Sequence, residues 1–346
     1  MKKGLLPSVI FASFATLFAI QGCKKESSVG IDNDQVVKTP YGLYAANDEG
    51  WLINSTDGET FNSIFPPDGY APRLIVTSGD NLLMLKANLH MSTNNGRNFN
   101  PVFTNVRFFD WQTMAYNSLQ HQRLYITSNT YRGISISDDN GATWAADTAW
   151  ESNIPPIFTI SSFSGLYDGK LFAYSNENNV MFRRDSKTSN WAPVTSEGLF
   201  PVDGTAFFLC SNKTTLFLTD KNAIGGVWYS EDAGLHWYRV AQGELPYKHS
   251  WNCAVSPGGG QTILVGTDTF GVYRNEYGKM VASSTGLEEN TTVYSMAVKS
   301  NTYKNDAVKD YVYIGTNKGI YRSEDYGTTW DKVTNGTFDG SYKATY

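Results

Sequence analysis

Cysteine, histidine and charged side chains are scarce in this sequence of 346 residues. There are three Cys and four His, only 18% of the residues are charged, and the four His show no ligand spacing with the Cys. We therefore expect neither a metal nor a cofactor. The net charge is −5 and no run of Lys or Arg occurs after residue 25. A surface that tracks phosphates needs a clustered basic patch, so nucleic-acid binding is excluded.

The apolar run at the N-terminus is short for a membrane-spanning helix. Lys2 and Lys3 precede an apolar stretch of 16 residues, 4–19, which is the pattern of a signal peptide. The stretch is followed by Ile20-Gln21-Gly22-Cys23, which resembles a bacterial lipobox at Gly22 and Cys23 and departs from it at Ile20 and Gln21. The resemblance implies lipidation of Cys23 and cleavage before it. The alternative is an ordinary secretory signal with an incidental Cys.

These features predict three segments. Residues 1–22 form the lipoprotein signal peptide, residues 23–40 form the lipidated Cys and a polar, flexible tether, and residues 41–346 form a single folded domain. We expect the protein in the bacterial cell envelope, on the outer membrane, anchored only through its lipid. Cys210 and Cys253 both lie in apolar text, so they are either buried thiols or a disulfide.

Repetition dominates the rest of the sequence. Short runs of strand-like residues, separated by turn residues, recur in sets of four. The residue that opens the fourth strand is aromatic or apolar in every set, and these positions lie 38 to 50 residues apart: Phe61, Phe99, Trp144, Trp191, Trp237, Met280 and Trp330. Seven copies of such a unit predict an all-β fold, a seven-bladed β-propeller of four-stranded antiparallel blades.

A motif of the form Ser-x-Asp-x-Gly-x-Thr-Trp precedes several fourth strands, and it resembles the Asp-box, or BNR repeat. Two copies are degraded, at residues 92–99 and 55–61, and the fourth and sixth repeats keep almost nothing of it. We expect a folding device, in which Asp accepts amide hydrogens of its own turn, Gly takes a positive φ and Trp buries its ring. The three good copies consist of Ser137, Asp139, Gly141 and Trp144; Ser230, Asp232, Gly234 and Trp237; and Ser323, Asp325, Gly327 and Trp330.

The ring of blades must close, and the first repeat begins directly with its second strand at Gly42. We expect residues 341–346 to pair beside residues 42–47 and to complete the first blade, because an open ring leaves unpaired edges. The alternative is that residues 32–38 supply the missing strand.

Ligands of propellers more often meet the face opposite the motif, which is built from the links between blades and the loops between second and third strands. These segments are rich in aromatic residues with some mixed charge, which suits sugar rings or protein partners. Each ring has the alternative role of packing between blades. The candidate ligand-binding residues are Arg73, Trp111, Tyr131, Arg132, Trp150, Tyr247, Trp251 and Phe270.

The Asp-box resemblance covers both enzymes and binding proteins. Sialidases carry an Arg-Ile-Pro motif, and the nearest text here, Arg73-Leu74-Ile75, lacks the Pro. Xyloglucanases of this class resemble two propellers across a cleft, whereas this chain supplies one, and no feature marks the paired carboxylates of a glycosidase. The layout is most similar to the photosystem II assembly-factor-like propellers. We expect a monomeric, non-catalytic module that binds an envelope protein or an extracellular glycan, with a glycoside hydrolase as the alternative.

Overall fold

The computed structural model contains seven four-stranded antiparallel sheets. It describes residues 20–21, 42–47, 51–55, 58–65, 74–78, 81–85, 88–94, 96–103, 115–118, 121–128, 133–154, 160, 162–166, 168–175, 178–197, 207–212, 214–220, 226–241, 243–246, 250–255, 262–302 and 308–334. No helix among these residues is long and apolar enough to cross a membrane.

Each sheet uses four strands in chain order, as the repeat predicts. The first three sheets contain β1 (Ile20–Gln21), β2 (Gly42–Ala46), β3 (Leu52–Ser55) and β4 (Asn62–Phe65); β5 (Leu74–Ser78), β6 (Asn81–Leu85), β7 (Leu89–Ser92) and β8 (Asn100–Phe103); and β9 (Ala115–Ser118), β10 (Arg123–Ser128), β11 (Gly133–Ser137) and β12 (Ala145–Ala146). A short helix, α1 (Thr148–Glu151), follows β12.

The remaining four sheets have the same order. They contain β13 (Ser162–Gly165), β14 (Leu171–Ser175), β15 (Val180–Arg184) and β16 (Ala192–Pro193); β17 (Phe207–Asn212), β18 (Thr215–Asp220), β19 (Gly226–Ser230) and β20 (Tyr238–Arg239); β21 (Ser250–Val255), β22 (Ile263–Thr267), β23 (Val272–Glu276) and β24 (Lys279–Ala282); and β25 (Val293–Thr302), β26 (Val308–Thr316), β27 (Gly319–Ser323) and β28 (Asp331–Lys332). Cys210 and Cys253 lie in the neighbouring strands β17 and β21, and their side chains are outside the described residues.

Buried apolar clusters join the sheets into a ring. One cluster runs from the second to the sixth sheet, and others join the first sheet to the second and the sixth to the seventh. The ring closes through Leu43 and Phe61 of the first sheet, which belong to one cluster with Tyr313 and Ile320 of the seventh. The fold is therefore a seven-bladed β-propeller, and the predicted fold class is confirmed.

The inner strand of the first sheet differs from the expectation. Gly42 and Leu43 pair with Gln21 and Ile20, so β1 takes the place that residues 341–346, or alternatively residues 32–38, were expected to fill. Both of those segments lie outside the described residues. β1 lies just before Cys23, within the segment that the sequence predicts to be a signal peptide.

We name the four hairpins at residues 92–99, 137–144, 230–237 and 323–330 the box hairpins. In the last of them Ser323 Oγ donates to Asp325 Oδ1 at 2.8 Å and accepts from Gly327 N at 2.7 Å, while Asp325 Oδ1 also accepts from Thr329 N at 2.8 Å. The glycine has φ +82°, and the Trp330 ring is buried. These contacts are those expected of a folding device.

The box hairpins also hold neighbouring sheets together, which the sequence did not reveal. A Cβ added to Gly327 would lie 2.6 Å from Leu264 of the sixth sheet, and one added to Gly141 would lie 2.7 Å from Leu83 of the second. Trp330 Nε1 donates to Ser283 O, in the segment that follows the sixth sheet, at 2.8 Å. Each of these hairpins therefore packs on the sheet that precedes it in the chain.

The fourth sheet replaces the box with a buried ion pair. Arg184 stands seven residues before Trp191, the offset that separates Ser137 from Trp144. Its Nη1 donates to Asp147 Oδ2 at 2.8 Å, and Trp191 Nε1 donates to the same oxygen at 2.8 Å. Arg184 Nε also donates to Ser186 O of the turn at 3.1 Å. Asp147 is the N-cap of α1, so the pair joins the third and fourth sheets.

Candidate binding surfaces

The antiparallel strand order gives the ring two faces that carry different loops. The hairpins between third and fourth strands lie on one face, the box face, and the loops between second and third strands and the links between sheets lie on the other, the loop face. The sequence placed the ligand on the loop face. Arg73, Trp111, Tyr131, Arg132 and Tyr247 lie outside the described residues; Trp251 lies in β21, but its side chain is also outside them.

Trp150 is a core residue, which corrects the prediction that its ring contacts a ligand. It lies in α1, is 1% exposed and meets the rings of Phe182 and Trp191 edge-on at centroid distances of 5.0 Å and 5.7 Å. The helix, capped by Asp147, turns this ring inward. A four-residue helix has too short a pattern to be read from sequence, so the inward direction was not foreseen.

Phe270 is exposed on the loop face, at the tip of the β22–β23 loop, with 47% of its surface open to solvent. The backbone beneath it is fixed, since Gly271 N donates to Thr291 O at 2.9 Å and Thr269 N donates to Thr292 Oγ1 at 3.2 Å. Thr292 N in turn donates to Asn317 Oδ1 at 2.9 Å. The Phe270 ring thus lies above hydrogen bonds that join the sixth and seventh sheets, where it can add a contact to a ligand.

Four further large apolar side chains are exposed among the residues that the structure describes, and all of them lie in the hairpins of the box face or directly after them. They belong to the hairpins of the fifth, sixth and seventh sheets or to the strand that follows: Leu235 (41%), Tyr238 (54%), Tyr277 (104%) and Tyr326 (38%). Sequence reasoning missed them because it treated these hairpins only as structure. The available signal was the large apolar residue at box positions where the third repeat has Asn140 and Ala142.

A cavity of about 220 Å³ opens on the same face, between the fifth and sixth sheets. Its floor contains Phe217 and Ile263, which are buried. Glu231 and Arg239 line it from the fifth sheet and are exposed, and Asn275 lines it from the sixth. The side chains that face the cavity thus combine apolar rings with one carboxylate and one amide.

The hairpin of the fifth sheet also carries a titrating pair. His236 Nδ1 lies 2.5 Å from Asp232 Oδ2, and this hydrogen bond raises the pKa of His236 above its ordinary value. Within the described ranges, no group of three or more His, Cys, Asp or Glu side chains is placed to hold a metal ion.

No protein-family model and no curated protein matches the chain. Solved structures do match. A structure of YCF48 bound to D1 peptide aligns with a TM-score of 0.53 at 12% identity, over 90% of this chain and 94% of that one. An ancestral GH74 enzyme aligns with a TM-score of 0.55 at 17% identity, over 79% of this chain.

The GH74 xyloglucanase from Xanthomonas campestris aligns at 12% identity with a TM-score of 0.46, over 87% of this chain. This chain spans 61% of that enzyme's length and 40% of the ancestral enzyme's length. At these identities the likeness to YCF48 and to the ancestral enzyme shows the propeller fold alone.

Proposed function

We propose that this chain is a non-catalytic binding propeller, held outside the cytoplasm by a lipid on Cys23, that binds an envelope protein or an extracellular glycan through its box face. The observation that carries the proposal is the group of exposed apolar side chains on that face, above all Tyr238, Tyr277 and Tyr326. Tyrosine supplies a large apolar ring with a polar tip and is enriched at interfaces, where one end of the side chain is dry and the other wet.

The comparisons support a binding role by analogy of fold alone. YCF48, a propeller of nearly the same extent, has been seen bound to a peptide, whereas the GH74 enzymes are much longer than this chain. Whether sugars are released is therefore part of the test.

The test compares two sets of variants of the full chain with Cys23→Ser, in native gels containing polysaccharides and in capture from solubilised envelope proteins. We expect Tyr238→Ser, Tyr277→Ser and Tyr326→Ser together to abolish retardation or capture. Phe270→Ser, on the loop face, is the matched control and should bind like the parent. Loss in the control alone would move the site to the loop face, and released sugars would establish a hydrolase instead.

The lipid anchor has its own test, because the chemistry is covalent. The wild-type chain expressed in a bacterium should incorporate labelled palmitate and fractionate with membranes. Cys23→Ser should do neither. Labelling that survives the substitution would contradict the assignment of Cys23.

A further inference from the structure

The strand register locates the side chain that the box hairpin of the third sheet covers. Leu83 follows the residue that pairs with the box serine of its sheet, since Leu82 pairs with Ser92. The glycine of the next box hairpin, Gly141, packs directly on Leu83. In the fifth sheet Leu216 pairs with the box serine Ser230, so Phe217 holds the position of Leu83. A hairpin in the sixth sheet that packed like the one in the third would therefore cover Phe217.

The sixth sheet has no box hairpin. β23 and β24 are joined by a turn at Tyr277 and Gly278, with φ +48° and +78°, and Glu276 pairs directly with Lys279. A Cβ added to Gly278 would meet no atom within 4 Å, whereas those added to Gly141 and Gly327 would clash with the preceding sheet. The cavity between the fifth and sixth sheets is thus the space that a missing hairpin leaves above Phe217.

The chemistry of this space suits a sugar ring. Phe217 and Tyr229, which pair across β18 and β19, supply aromatic surface for the apolar C–H groups of a pyranose. Glu231 offers an acceptor to hydroxyls, and the amide nitrogen of Asn275 offers donors, since Asn275 Oδ1 accepts from Ile263 N.

Arg239 pairs with Trp228, and its guanidinium lies over that ring, 5.9 Å from the centroid. The Arg239 side chain is therefore on the opposite face of the sheet from Phe217 and Tyr229 and does not enter the cavity.

Size and charge narrow the ligand further. A volume of about 220 Å³ corresponds to about seven waters at ~30 Å³ each, which is room for one ring rather than a chain of them. Glu231 is the one charged lining side chain on the same face of the fifth sheet as Phe217, so an acidic sugar would meet a like charge.

We propose that this cavity binds a single neutral pyranose ring, the end of a glycan. The inference deepens the proposed function and rests on it, since the cavity lies on the same face as the exposed tyrosines and names one ligand class for it. A protein partner that needs the tyrosines but no sugar would leave the proposed function standing and defeat this inference.

The experiment titrates the full chain with Cys23→Ser by calorimetry, in a detergent without a sugar headgroup. The probes are the methyl β-glycosides of glucose, galactose, mannose and N-acetylglucosamine, with glucuronate as the charged comparison. We expect at least one neutral glycoside to bind, and to bind more tightly than glucuronate. Absence of binding by every neutral glycoside would overturn the proposal.

Two variants test the location. Phe217→Leu installs the residue that the second sheet has at this position, and Glu231→Gln removes the carboxylate from an exposed side chain without disturbing the floor. Each should weaken binding at least tenfold, and Phe270→Ser on the opposite face should not. Should Phe217→Leu melt at a much lower temperature, Glu231→Gln alone decides. Unchanged affinity in a folded Glu231→Gln variant would overturn the location.

Discussion

At the residue scale, His236 occupies the box position that Thr143 and Thr329 hold in the third and seventh sheets. Its ring bonds Asp232, and its Nε2 lies 3.6 Å from Glu197 Oε2 of the preceding sheet. Its pKa is raised above the ordinary value of 6.5, first by the hydrogen bond to Asp232. The contribution of the protonated ring to stability is therefore complete below the unfolded-state pKa and is lost as the pH rises through the folded-state pKa.

We predict that His236→Thr removes this pH dependence. The melting temperatures of parent and variant should be compared at about pH 5.5 and about pH 8.5, on either side of the ordinary histidine range. The parent should hold an advantage at the lower pH that shrinks at the higher one. An advantage of equal size at both values would show that the ring contributes only packing.

At the element scale, a box glycine provides a left-handed backbone and also leaves room for a side chain of the neighbouring sheet. Substitutions can separate these two requirements. Gly327 and Gly278 have similar backbones, with φ +82° and +78°, but only Gly327 packs on a neighbouring sheet, at Leu264. Gly278→Ala should cost about 1 kcal/mol for its left-handed backbone. Gly327→Ala should cost that and a further ~1–3 kcal/mol for displacing Leu264. Urea denaturation measures both, and equal losses would mean that the seam contact carries no weight.

The ion pair that replaces the box in the fourth sheet is a second element-scale device. Asp147 and Arg184 are 1% and 3% exposed, so removing either partner leaves a buried charge. We predict that Asp147→Ala lowers the free energy of unfolding by about 3–5 kcal/mol. Asp147→Ala combined with Arg184→Met should be less destabilised than Asp147→Ala alone, because no charge is left unpaired. A double variant as unstable as the single one would contradict this.

The strands and hairpins could be predicted from the sequence because they recur at a long, regular spacing and because characteristic residues occupy their turns. Ser323, Asp325 and Gly327 fall where the hairpin needs a hydroxyl, a carboxylate and a left-handed residue, and the structure uses each for that purpose. The cavity could not be predicted in this way, because it results from a missing hairpin. Only the strand register shows that Phe217 is the buried side chain that lies beneath this space.

At the scale of the whole molecule, the proposed cleavage before Cys23 has a consequence for the inner strand of the first sheet. Cleavage before Cys23 would remove β1, leaving the Gly42–Ala46 edge to another strand. We predict that residues 341–346 then take that place. Deleting them from a chain that begins at Cys23 should lower its melting temperature sharply.

The control is the same deletion in the full chain with Cys23→Ser, which keeps β1 and should lose little. A deletion that leaves the melting temperature of the shortened chain unchanged would exclude residues 341–346 from the first sheet.

The packing of box hairpins on the preceding sheet gives the ring an order of assembly. One side of a sheet is covered by the box hairpin of the next sheet in the chain. During synthesis, that side is exposed to solvent only until the next repeat leaves the ribosome or the export channel. The seam between the seventh and first sheets, joined by Arg322 Nη1 and Glu59 Oε1 at 3.0 Å, is different, because its two sides are the last and the first parts of the domain to be made. We therefore expect the edge of the first sheet at this seam to stay exposed for longer during synthesis than the edges that a following sheet covers.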